Sequence, residues 1–136
     1  MPVNLEIAIR LLLAAVLGAI IGFQREKAGK EAGLRTHILI SSGAALFTLV
    51  STYGFANGDP SRIAAGVVTG IGFIGAGVIL HRSGGAVIGL TTAATIWLSS
   101  GIGLAAGAGM YLLSVMATAL TVIALLLPHL NKIQKR

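Results

Sequence analysis

The stretch LEIAIRLLLAAVLGAIIGF, residues 5–23, decides the fold class. It is an apolar run of the length that a helix needs to cross a bilayer, about 20 residues. It ends abruptly at Gln24-Arg25-Glu26-Lys27. A secretory signal opens on a basic region and closes on small residues at a cleavage site. Here Glu6 comes first and the run closes on charge, so the segment reads as a retained membrane helix. Further apolar runs follow, and the expected spans are 5–23, 36–56, 61–80, 87–106 and 110–128. The fold class is therefore all-α, a polytopic bundle of about five transmembrane helices in one domain, 1–136.

Composition agrees. The 136 residues are 55% hydrophobic and 10% charged, with a mean hydropathy of +0.91. A soluble domain carries about 25% charged residues, so this chain lacks the polar side chains to cover itself in water. The absence of cysteine excludes disulfides, thiol catalysis and thiolate metal sites. The net charge of +6 is not read as nucleic-acid binding, because no basic run is interleaved with aromatics. In a membrane protein such an excess sets orientation and meets anionic lipid.

Between the last two spans, Gly107-Ala108-Gly109 reads as a hairpin or as a kink in one long helix. Length favours the hairpin, since 40 helical residues would reach roughly 60 Å, about twice the hydrocarbon thickness. Five alternating spans place Arg25, Lys27, Lys30, Arg35, Arg82, Lys132, Lys135 and Arg136 on one side, and Arg62, with Arg10 if it reaches that surface, on the other. Basic residues collect in cytoplasmic loops, so the N-terminus is expected outside and the basic tail inside.

Two polar groupings follow from that topology. Glu6, Arg10, Asp59 and Arg62 fall near the outer face, and a charged network joining the first and third helices is one reading. The plainer reading pairs Arg10 with Glu6, one helical turn away, and gives Asp59 to capping ahead of Pro60. At the inner face lie Arg25, Glu26, Arg35, Thr36, His37, His81, Arg82, Thr91, Thr92 and Thr95. These could hold lipid phosphate or an acidic partner segment, or simply anchor the chain. Trp97, at mid-span, reads as packing.

Glycine is frequent. Gly18 and Gly22, like Gly66 and Gly70, have the spacing at which helices approach closely. With Gly72, Gly75 and Gly77 they make the third helix the expected centre of the bundle, and Gly18/Gly22 a candidate homodimer face. There is no nucleophile, base and orienting acid at a recognisable spacing, so no enzyme is expected. No acid falls at mid-membrane, so cation conduction through oxygen ligands is not indicated.

The segments Leu17–Glu26, Ala32–His37, Asp59–Ala65, Gly70–Gly77 and Gly89–Ala94 together resemble the MgtC/SapB family of bacterial membrane proteins, over nearly the whole chain. The resemblance implies a multi-pass protein of the bacterial inner membrane linked to growth in low Mg²⁺ and, in some members, to virulence. It implies Mg²⁺ as a ligand or signal and no other cofactor. It also implies action on another membrane protein, the proton-translocating ATP synthase among them, with a divalent-cation transporter formed by an oligomer as the alternative. Gln24 stands where the family has Glu, and Gly66 where Gln is common. The C-terminal soluble domain of many members is not expected in this chain.

Overall fold

The computed structural model describes residues 1–80 and 88–128. Among these, five helices run in order: α1 (Val3–Lys27), α2 (Leu34–Tyr53), α3 (Pro60–Leu80), α4 (Leu90–Gly107) and α5 (Tyr111–Leu126). The first four are long and apolar enough to cross a membrane. At 16 residues, α5 reaches roughly 24 Å at 1.5 Å per residue, a little short of a bilayer's apolar thickness. The helices form an all-α multi-pass bundle.

The helix ends are set by local chemistry. α1 and α4 stop in the same way. Gly29 and Gly109 take left-handed φ values of 73° and 83°. The amides beyond then fold back, Gly29 to Glu26 and Lys30 to Arg25, Gly109 to Ala106 and Met110 to Ala105. This is the Schellman arrangement, which satisfies otherwise orphaned carbonyls. It makes the α4–α5 connection a hairpin, as length argued. The α1 stop falls after Lys27, so Arg25 belongs to the helix and points inward rather than lying in a loop.

The core is built on α4, which touches all four other helices, whereas α1 and α3 do not touch each other. Of α4's apolar span 61% is buried, against 11% for α3. The expectation that α3 is central is therefore corrected. α4 buries Thr92, Thr95, Ser99, Gly103, Ala106 and Gly107 along one side, and these short side chains admit backbone from α1 and α2. Glycines on α3 meet little: a Cβ on Gly66, Gly70, Gly72 or Gly77 would find no neighbour within 4 Å, and one on Gly75 only Ala93 at 3.7 Å.

The α1–α2–α4 seam centres on Ser41. Its hydroxyl donates to the Ala14 carbonyl at 2.7 Å, crossing from α2 to α1. A Cβ on Gly18 would collide with Ser41 Oγ, and one on Gly103 with the Ser41 carbonyl. A Cβ on Gly22 would meet Leu34 Cα at 2.8 Å, and one on Gly107 the Ala45 carbonyl at 2.9 Å. Gly18 and Gly22 are thus used within the chain, against α2. That corrects their reading as a homodimer face. Trp97 is more than half exposed on the outside of α4, so its reading as a packing residue is corrected too.

Candidate functional site

Two polar clusters sit at opposite ends of the bundle. The first gathers on Arg10. Its guanidinium pairs with Glu6 Oε1 at 2.8 Å, and Nη1 donates to the Gly107 carbonyl at 3.0 Å. Tyr111 Oη donates to the same Glu6 oxygen at 2.6 Å, and the Tyr53 ring centroid is 5.7 Å from the guanidinium carbon. Arg10 therefore clamps the start of α1 to the α4–α5 hairpin and the end of α2. A Cβ on Gly109 would meet the guanidinium at 2.8 Å, which is a second reason for glycine there.

Asp59 and Arg62 are not part of this clamp. Asp59 Oδ1 accepts from the Ser61 amide at 3.0 Å and the Ser61 hydroxyl at 2.7 Å. It caps α3, the plainer of its two readings. The Ser61 hydroxyl first, and its amide second, hold the Asp59 carboxyl below the usual aspartate range. The sign follows: the cap is fully formed above that range and is lost as pH falls through the lowered value. Since α1 and α3 make no contact, the network proposed between them does not form. Tyr111, Tyr53 and the Gly107 carbonyl take the places expected of Asp59 and Arg62.

The second cluster is the candidate site. Arg25, 4% exposed, donates from Nη2 to Thr92 Oγ1 at 2.8 Å. The Thr92 hydroxyl in turn donates to Glu31 Oε2 at 3.3 Å. One threonine thus links a buried cation to an acid on the α1–α2 connection. One turn further into α4, Thr95 Oγ1 lies 3.2 Å from Nε2 of the fully buried His37. His37 Nδ1 is 2.9 Å from the Gly33 carbonyl, which can only accept, so Nδ1 carries hydrogen. The ring's second contact, at Nε2, is with Thr95 Oγ1. The Thr95 hydroxyl itself donates to the Thr92 carbonyl at 2.7 Å.

Arg25 Nε, Gln24 Oε1 and Ser99 Oγ are buried without a partner among the described residues. Buried polar atoms are nearly always paired; Gln24 and Arg25 lie at this end of the bundle, and Ser99 lies near the middle of α4. Of the residues expected here, Arg25 and Thr92 meet. Glu26 lies over Gly33, while Arg35, Thr36 and Thr91 enter none of these bonds. Arg82 and His81 lie outside the described residues. Glu31 joins the cluster through Thr92 without being singled out in the sequence reading. The signal for it was positional, an acid six residues past Arg25 across a glycine turn.

No three His, Asp or Glu side chains among the described residues gather in metal-ligand fashion. What the cluster can do chemically is hold a guanidinium, an imidazole and a carboxylate in one hydroxyl-linked chain inside the membrane protein. Ionisable groups at such depth are costly unless paired or used.

The sequence profile of the MgtC family matches residues 11–134. The Escherichia coli (strain K12) protein named "Putative magnesium transporter YhiD" is 52% identical over 91% of this chain and 61% of its own. "Protein MgtC" of Salmonella typhimurium (strain LT2) is 47% identical over 85% of this chain and 49% of its own. "Protein SrpB" of Synechococcus elongatus is 40% identical over 89% and 74%. The chain thus spans about half to three fifths of the length of the first two. No solved structure matches it.

Proposed function

This chain belongs to the MgtC family, and from that premise we propose that it supports adaptation to low Mg²⁺ in a bacterial plasma membrane by acting on a membrane partner, without catalysis. The observation that carries this reading is the sealed core with a guanidinium at each end. Gly18, Gly103 and Gly107 bring backbone onto backbone along the α1–α2–α4 seam. Arg10 and Arg25 then stand at its two ends. A divalent cation entering a single copy would meet a guanidinium already bonded to its own partners, Glu6 at one end and Thr92 at the other, and closed packing next. Attraction or repulsion between charges in a low-dielectric interior is large enough to decide entry.

The hydroxyls of the core support the same reading. Thr48, Thr118 and Thr121 donate to carbonyls four residues earlier on their own helices, so their protons are not turned towards a path. α3 supplies the other half of the argument. It is a spanning helix with most of its surface unpacked, and a second membrane helix can approach it closely. The second reading is a divalent-cation permease formed by an oligomer. The open glycines of α3 favour it, because their carbonyls could line a path shared between copies.

The test uses a bacterium lacking its own family member and starved of Mg²⁺. The chain carrying Gly72→Leu and Ala76→Leu is expected to lose most of its growth support, at unchanged membrane abundance. Gly72 has open space for the added side chain, so folding is preserved. Full growth support from that variant would remove α3 as the acting face.

A further inference from the structure

Between α2 and α3 lies a cavity of about 470 Å³, floored by Ser100 of α4. Its walls are Leu39, Gly43 and Phe47 on one side and Gly66, Gly70 and Ile74 on the other. It exists because three of those wall residues are glycines, and the Gly43, Gly66 and Gly70 Cβ positions are empty. Leu39 and Phe47 at the rim are 71% and 56% exposed, so the opening faces sideways, towards lipid.

The cavity has one polar end. Arg62 lines it at the start of α3, and among the described residues its guanidinium pairs with no carboxylate, since Asp59 is turned to Ser61. Ser100, the other polar side chain in the lining among the described residues, donates its hydroxyl to the Trp97 carbonyl at 2.7 Å. From Arg62 to Ile74 is twelve residues of helix, roughly 18 Å. One leaflet of a bilayer's hydrocarbon is about 15 Å deep, half the whole. A cation at the headgroup level, with an apolar slot one leaflet long beneath it, matches an amphiphile with one anionic head. It does not match an ion or a soluble metabolite. Guanidinium is the side chain best suited to bind phosphate through two bonds.

We propose that this cavity binds one phospholipid, with its acyl chain between α2 and α3 and its phosphate on Arg62. The site stands apart from the partner reading, because it is measured on the purified chain alone.

Native mass spectrometry of delipidated protein in detergent tests it. The probes are phosphatidylglycerol and a diacylglycerol with the same chains and no phosphate. The wild type is expected to retain the phospholipid about tenfold more strongly, the worth of one charge-assisted contact. Arg62→Gln should bring phosphatidylglycerol down to the diacylglycerol level. Gly66→Leu with Gly70→Leu should abolish retention of both by filling the slot. Arg62 is exposed, so the Arg62→Gln arm decides alone if the leucine pair fails to fold. Equal retention of the two lipids by the wild type overturns the proposal. So does phospholipid retention unchanged by both variants, and so does a dimer, dispersed by the leucine pair, in place of bound lipid.

Discussion

Gly103→Ala is expected to destabilise the protein by about 3 kcal/mol, at the upper end of what overpacking a closed core costs. The methyl would be placed on the Ser41 carbonyl, with Ser41 Cα only 2.8 Å away. Both are backbone atoms, so no rotamer change relieves the contact and α2 has to move as a whole. Ser41 is also the residue that joins α2 to α1 through the Ala14 carbonyl, so a displaced α2 loosens two interfaces at once. The control is two residues away. A Cβ on Gly101 meets nothing within 4 Å, and Gly101→Ala should be neutral or stabilising by about 0.5–1 kcal/mol through backbone entropy and helix propensity. Unfolding of both variants in the same detergent checks the pair. If they unfold alike, α4 is not packed on α2 as described.

Arg25→Ala is expected to have the second large effect, about 3 kcal/mol, from the lost packing of a long buried side chain and a buried Thr92 left without its donor. The loss goes beyond one hydrogen bond. Without the guanidinium, Thr92 loses its donor, and Glu31 loses the cation whose field acts across that hydroxyl. Arg25→Lys keeps the charge but presents a point donor in place of a planar fork, so it should recover only part of the loss. Thr92→Val removes the link and keeps the shape. In a double-mutant cycle, Arg25 and Thr92 should couple by at least about 1 kcal/mol. Additive losses in that cycle would mean that Thr92 does not connect Arg25 to the rest of the cluster.

The fold class was legible because bilayer length and apolar composition leave few alternatives for runs such as 5–23. Helix ends were legible where chemistry marks them, as at Asp59-Pro60 and Gly109. The identity of the central helix was not. Counting glycines pointed to α3, yet glycine only permits close approach and does not say which neighbour arrives. α4 was the better candidate on a different count, its short hydroxyl residues Thr92, Thr95, Ser99 and Ser100 together with Gly103 and Gly107 on nearby turns. Hydroxyls can bond to their own helix and present a small surface, so for packing in lipid they act much as alanine or glycine does.

The candidate site was half legible. Arg25, Thr92, His37 and Thr95 were grouped by depth alone, which topology supplies. Which of their neighbours join them depends on helix rotation. Arg35 and Thr91 share the depth but point outward, and depth cannot separate them from Arg25. At the other end, Arg10 and Asp59 share a depth without sharing a neighbour, because α1 and α3 are held apart by the helices between them. Depth gives one coordinate, and a bundle needs two.

The proposed function requires that one copy of this chain does not carry Mg²⁺, its closed core lying between the Arg10 and Arg25 clusters. The most direct measurement is Mg²⁺ entry into liposomes that contain only this purified, folded protein, with Arg10→Ala and Arg25→Ala beside it. Entry through the wild type is expected to be no faster than into protein-free liposomes. Wild-type flux above that background, abolished by either arginine substitution, would contradict it and make the guanidinium ends part of an ion pathway.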